Sequence, residues 1–344
     1  MLDKNRIKDL LKPDKSSWLN RHCRIPIESI SININGDVHF CFCYEWLPKT
    51  VCNILDFENK EDFFKVLNDN EVRTSIIDRS HRYCIGVRCP QLQNEYDGES
   101  TSFNTLEEIL KMELITLHLS LDESCNLACP SCRNSVILNK NNIVFQNKLK
   151  KILNKIDEFL FQPQIIENIF GIGNGEFLAS KLLTDWFIEK SKLDINFWLQ
   201  TNGTLIYKNK DKITDILKQT KTINVSIDAS NEEIYSKVRL NGKWNDLING
   251  LNYLVEERKK KPFILRFNFT ISDKNFEDVL NFIDFAKQYD VDEIYFTRVR
   301  RWPHIKESDW QEMNVFSPNH PQNSKLLEII SHKKMSDKII NVDF

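Results

Sequence analysis

The sequence predicts an α/β fold on parallel strands, on three grounds. From about residue 108 onward, short apolar runs alternate with stretches of helical period, six times in about 190 residues. The runs read as continuously apolar, as in parallel strands packed against helices. The chemically unusual residues fall just past the ends of those runs, where such folds carry their active face. Periodicity leaves two architectures open: a doubly wound open sheet, or a partial or complete βα barrel.

Taken in order, residues 1–107 lack this alternation. Residues 29–34 and 38–42 meet at Asn35, Gly36 and Asp37, which predicts a hairpin. A short helix is predicted over 60–67. Six of the nine cysteines lie here: Cys23, Cys41, Cys43, Cys52, Cys84 and Cys89. The segment is expected to have little core of its own, which suits stabilisation by a metal centre. Residues 93–104 are polar and predict a linker.

Residues 114–121 predict the first core strand, running into Cys125, Cys129 and Cys132. Leu149, Ile152, Leu153, Ile156, Phe159 and Leu160 then recur at helical spacing. A strand over 165–170 ends at Gly171, Gly173 and Gly175. With only nine glycines in the chain, three so close mark a place where backbone geometry demands them. A helix over 182–189 and a strand over 195–199 lead to Thr201, Asn202 and Gly203. A helix over 212–218 precedes a strand over 223–227, which carries Ser226 and is followed by Asp228. Trp244, Leu247, Ile248, Leu251, Leu254 and Val255 mark the next helix, with a strand over 263–270. The last pair is a helix carrying Phe276, Val279, Leu280 and Ile283 and a strand over 293–296. His118, Phe276, Phe282 and Phe285 read as core. Beyond Trp302 no period stands out, which predicts a tail packed over the core. The expected division is therefore 1–107, 108–302 and 303–344.

Charge and composition exclude several classes. The formal net charge is −2, and no basic module with interleaved aromatics is present, so no nucleic-acid partner is expected. Arg298, Arg300 and Arg301 read as a solvated edge or as an anchor for an anionic group. No run approaches the roughly 18 apolar residues of a membrane span. The opening residues are charged and lack a signal peptide's apolar stretch, which predicts a cytoplasmic protein. In that reducing compartment clustered thiols read as metal or cluster ligands rather than disulfides.

Cys125, Cys129 and Cys132 form a C-x3-C-x2-C triplet. Three thiolates on one short loop can bind three irons of a [4Fe–4S] cube and leave the fourth iron open to a small molecule. The alternative is a zinc site completed from elsewhere in the chain.

At these residues the sequence resembles the radical S-adenosylmethionine (SAM) superfamily. The triplet has that superfamily's spacing. Gly173, Asn174, Gly175 and Glu176 look like its glycine-glycine-glutamate motif, which holds the SAM amino group. Ser226, Asp228 and Arg239 are similar to the segment that contacts the ligand's carboxylate and ribose. The likeness spans roughly residues 110–302 and implies a partial (βα)6 TIM-like barrel, a [4Fe–4S] cluster on Cys125, Cys129 and Cys132, and SAM held by Gly173, Asn174, Gly175, Glu176, Ser226 and Arg239. Two positions depart from the pattern: Ser131 stands where an aromatic residue is common, and Phe177 where a proline is.

A second resemblance lies in the N-terminal segment. Cys23, Gly36 and Cys41 are spaced as at the opening of SPASM and twitch auxiliary-cluster domains, and Cys84 and Cys89 complete the set, with Cys43 the alternative to Cys41. Such a domain usually follows the barrel and here precedes it. It implies a small α+β module holding a second [4Fe–4S] cluster; a zinc knuckle is the other reading. Cys52 or Cys43 would be a hydrogen-atom donor to a substrate radical or a small buried hydrophobe.

The two resemblances imply an enzyme that cleaves SAM reductively and abstracts a substrate hydrogen through the 5′-deoxyadenosyl radical, fed by a partner such as a flavodoxin or ferredoxin. The substrate would be a small molecule, a glycan precursor or a peptide, and the outcome dehydrogenation, cross-linking or epimerisation. No residue is assigned to the substrate radical. The rival reading is a non-catalytic iron–sulfur or zinc protein that passes electrons or scaffolds an assembly.

Overall fold

The computed structural model describes residues 23–42, 46–86, 89, 113–162, 164–171, 175–302 and 304–344. The chain packs as two compact units, one of residues 1–121 and 147–170, the other of residues 122–146 and 171–344. The boundary expected at residues 107 and 108 lies outside the described residues.

The first unit opens with a single helical turn, α1 (Ile25–Glu28), whose Pro26 suits the first turn of a helix. Strands β1 (Ser29–Asn33) and β2 (Asp37–His39) form the expected antiparallel hairpin. Its turn is held by Asn33, whose Oδ1 accepts the N–H groups of Asn35 at 2.8 Å and Asp37 at 3.0 Å. Gly36 sits at φ +87°, which only glycine adopts without strain. β3 (Cys52–Asn53) adds to β2. Helices α2 (Lys60–Asn68) and α3 (Glu71–Ile77) are each capped by an asparagine, Asn59 and Asn70.

The hairpin is not self-contained. β1 runs parallel to the first core strand, β4 (Thr116–Ser120), with Ile30 opposite Leu117. A two-stranded hairpin cannot bury both faces, and this pairing leaves Ile30 and Ile32 almost fully enclosed. The segment that looked poor in core thus completes its core on β4. Helix α4 (Ile143–Leu160) buries the six apolar residues its period predicts, and Phe159 stacks on Phe63 of α2. β5 (Asn168–Gly171) lies beside β4, giving the order β5-β4-β1-β2-β3.

The second unit carries α5 (Lys181–Lys190), β6 (Asn196–Thr201), α6 (Lys210–Lys218), β7 (Thr220–Ser226), α7 (Glu232–Val238), α8 (Trp244–Lys260), β8 (Ile264–Ile271), α9 (Val279–Lys287) and β9 (Glu293–Arg298). β6, β7, β8 and β9 pair in parallel. One face is aromatic and aliphatic: Phe267, Phe269 and Phe296 pack on Phe282 and Phe285 of α9. The other face is half-buried and polar, with Gln200, Asn224, Ser226, Asn268, Thr270 and Thr297. These strands therefore alternate. The continuously apolar expectation fails for them, because their second face carries half-buried polar side chains.

Residues 303–344 hold more structure than a tail. Helices α10 (Glu307–Met313) and α11 (Asn323–Ile330) precede β10 (Ile340–Asp343), which pairs in parallel with β9. Among the described residues no helix is long and apolar enough to cross a membrane.

Candidate active site

The three cysteines sit on the loop that follows β4 in sequence. Cys125 forms an isolated bridge with Ile137, its N–H donating to the Ile137 carbonyl at 2.7 Å. A turn then closes as Cys132 and Arg133 donate to the Cys129 carbonyl at 2.8 and 2.9 Å. Ala128 donates to the carbonyl of Leu240 at 3.0 Å, tying the loop to the segment after α7. Cys125 and Cys129 are buried and Cys132 is exposed. Burial pushes the first two thiols up. The Leu127 N–H pulls Cys125 back, and the Arg239 guanidinium pulls Cys129 back.

Donors approach two of the sulfurs. The Leu127 N–H lies 3.5 Å from Cys125 Sγ, Asn202 Nδ2 lies 3.9 Å from it, and Arg239 Nη1 lies 3.6 Å from Cys129 Sγ. Asn202 also donates to Asn126 Oδ1 at 3.0 Å, so the turn after β6 is stitched to the cysteine loop. The sequence marked Asn202 by its place at a strand end and missed this role; Asn126 gave no signal.

Around the loop, Gly175 must be glycine. A Cβ there would lie 2.5 Å from the Ser124 carbonyl oxygen and 2.6 Å from that of Asp122. Gly173 and Asn174 lie outside the described residues. Glu176 is buried, and its carboxylate accepts from Thr201 Oγ1 at 3.0 Å, from the Asn202 N–H at 2.6 Å and from the Leu178 N–H at 3.4 Å. Both oxygens are thus engaged by the chain itself. Burial raises its pKa to about 7 against the pull of those donors. Ser226 ends β7, and its Oγ accepts from Gln200 Nε2 at 3.5 Å.

Asp228 is not a helix cap, since Asn231 caps α7. It adopts the left-handed conformation at φ +63° and pairs with Arg239, Oδ2 to Nη2, at 2.7 Å. Its Oδ1 accepts the Thr270 N–H at 2.7 Å, and its carbonyl accepts from Asn275 Nδ2 at 3.0 Å.

In the first unit, Cys23, Cys41, Cys84 and Cys89 line one cavity with Trp46, Leu47 and His81. Burial pushes the Cys23 thiol up to about 12, with a further contribution from Cys89. The Cys84 thiol is raised by burial and then by Cys23, Cys89 and Cys41. Cys43 lies outside the described residues. Cys52, on β3, does not line this cavity; burial, Asp56 and Asp37 raise its thiol to about 12. Among the described residues, no three His, Cys, Asp or Glu side chains converge as a single-ion site would need. His118 is stacked between Phe42 and Phe170, at centroid distances of 5.1 and 4.5 Å.

The family model described as the radical SAM superfamily matches residues 104–294, more than half of the chain. The chain belongs to the radical SAM superfamily. It is 28% identical over 182 residues to a GTP 3′,8-cyclase of Campylobacter lari, covering 50% of this chain and 52% of that enzyme, so it spans about half the length of that relative. Among solved structures it is similar to SuiB of Streptococcus suis bound to S-adenosylmethionine, with TM-score 0.43, 14% identity and coverage of 71% of this chain and 57% of that one. It is also similar to SuiB bound to its precursor peptide SuiA, with TM-score 0.43, 15% identity and coverage of 82% and 62%.

Membership in the radical SAM superfamily implies a [4Fe–4S] cluster and SAM with its reductive cleavage. The donor set fits the first. The three thiols share one loop, and the N–H groups aimed at two of the sulfurs would stabilise them as iron-bound thiolates against the cost of burial. For the second, the buried Nε of Arg239 has no partner among the described residues and remains a donor suited to a carboxylate.

Proposed function

We propose that the chain is a radical SAM enzyme whose catalytic cluster is held by Cys125, Cys129 and Cys132. The observation that carries this reading is the single loop bearing all three thiols, with Asn202 and Arg239 donating to two of the sulfurs. When bound, the cluster and SAM supply a 5′-deoxyadenosyl radical by one-electron cleavage of the sulfonium. Arg239 Nε would receive the SAM carboxylate, with Ser226 beside it on β7 and Gly173, Asn174 and Gly175 offering backbone to the amino group. Glu176 acts through its carboxylate as the brace of that turn, and Gly175 allows the turn to lie on the carbonyls of Asp122 and Ser124.

The reading extends to an auxiliary [4Fe–4S] cluster on Cys23, Cys41, Cys84 and Cys89, supported by the cavity these four thiols share. Four thiolates would saturate such a cluster and suit it to electron transfer. The substrate class is a small molecule, glycan precursor or peptide, and the outcome a dehydrogenation, cross-link or epimerisation. The reading includes a one-electron donor such as a flavodoxin or ferredoxin, and the reducing cytoplasm as the place of work.

Anaerobic reconstitution, iron counting and a reductive assay for 5′-deoxyadenosine test it. About eight irons per chain, four for each cube, with 5′-deoxyadenosine formed are expected. Well-loaded protein that leaves SAM intact under strong reductant would mean an electron-transfer protein instead.

A further inference from the structure

Arg239 stands between a thiol and a carboxylate. Its Nη1 donates to Cys129 Sγ at 3.6 Å and its Nη2 to Asp228 Oδ2 at 2.7 Å. The side chains of Arg239 and Asp228 are 12% and 4% exposed, so solvent screens neither charge well. Asp228 cannot drift away. Thr270 holds its other oxygen, Asn275 holds its carbonyl, and its backbone occupies a left-handed conformation. Tyr235 faces the same group of charges, with its hydroxyl buried and without a partner among the described residues. The guanidinium is thereby fixed in orientation, with one fork on sulfur and the other on oxygen.

We propose that Asp228 and Arg239 form an electrostatic couple that sets the reduction potential of the cluster bound at Cys129. This rests on the assignment of Cys129 as a cluster ligand. Reduction adds one electron, and so one negative charge, to the cluster. A hydrogen bond to the ligand sulfur and a nearby positive charge both stabilise the reduced form. The carboxylate opposes them, because it compensates the same guanidinium. Arg239 raises the potential and Asp228 holds it down. Asp228 is thus a positioning residue that orients Arg239 and offsets its charge at Cys129.

A merely structural ion pair behaves differently, since loss of either partner then loosens the same loop in the same way. The couple predicts opposite signs. The test is a mediated anaerobic redox titration of the reconstituted chain without SAM, followed by electron paramagnetic resonance. Iron content is measured on every sample. Arg239→Gln is expected to shift the midpoint to more negative potential. Asp228→Asn is expected to shift it to more positive potential, and asparagine tolerates the left-handed backbone and can still accept the Thr270 N–H. Arg239→Lys, which keeps the charge and loses the fork, should shift less than Arg239→Gln, and the double variant should return toward the wild-type value. Full iron loading with unmoved midpoints, or with both single variants moving the same way, overturns the couple alone. A wild-type chain that loads no iron at the Cys125 loop overturns the ligand assignment and the couple with it.

Discussion

The backbone N–H of Asn202 donates to the carboxylate of Glu176 at 2.6 Å, joining the turn that follows β5 to the end of β6. The same Asn202 reaches Cys125 Sγ through its side chain. One residue therefore connects the motif glutamate to the cysteine loop. The glutamate is a brace whose charge is answered by the chain's own donors.

Glu176→Ala would leave the donors of Asn202, Thr201 and Leu178 unpaired in a buried place. The expected cost is about 2–5 kcal/mol, read from urea melts of the metal-free chain. The wild type should also show a pH signature. Its folded pKa of about 7 lies above the ordinary 4.5, so the folded state binds the proton more tightly. Stability from this group is present below pH 4.5 and lost as the pH rises to about 7, by about 3 kcal/mol in all. The alanine variant should lack that slope. A slope of unchanged size in the variant would assign it to another group.

Gly175→Ala should act on the cysteine loop rather than on the helices. The added Cβ meets two backbone oxygens, which cannot swing aside as a side chain would. Either the stem at Asp122 and Ser124 shifts or the turn does. Iron content after reconstitution should fall well below that of wild type. The far-ultraviolet circular dichroism should stay near wild type, since no helix or strand carries the clash.

Much of this was legible locally. The period of α4 named all six of its buried residues, and the Asn-Gly-Asp turn located the hairpin. What escaped depends on distant partners. β1 pairs with β4, which lies more than 80 residues on, and no local pattern encodes a parallel partner. β10 is four residues long and mostly exposed, so it lacked the apolar run that marks a strand. α7 is a short helix set by its Asn231 cap and buries only Tyr235 and Val238. At the site, spacing picked out the cysteines, but the tie from Asp228 to Arg239 spans a helix and shows only in the fold.

His118 supplies a second pH effect of opposite direction. It is packed between two phenyl rings, its Nδ1 has no partner among the described residues, and burial lowers its pKa from 6.5 to about 4. The unfolded chain therefore binds the proton first. Stability is full above pH 6.5 and falls as the pH drops toward 4, by about 3 kcal/mol. His118→Phe keeps the stack and removes the titration. Its denaturation midpoint should change less than that of wild type between pH 7 and 4.5, and equal changes would place the acid sensitivity elsewhere.

The four N-terminal cysteines offer the sharpest division between the two proposed clusters. Cys84 lines the shared cavity, and its thiol is raised by burial and by Cys23, Cys89 and Cys41. Cys84→Ser should remove about four of about eight irons, one whole cube. Cleavage of SAM to 5′-deoxyadenosine should persist, because it needs only the cluster of the Cys125 loop. Cys125→Ser should do the reverse, lowering the iron count while abolishing cleavage. Comparison of the two variants separates a cluster that makes the radical from one that handles later electrons. Undiminished iron in Cys84→Ser would mean that this cavity holds no cluster. Lost cleavage at full loading of the other site would mean that the two clusters do not work independently.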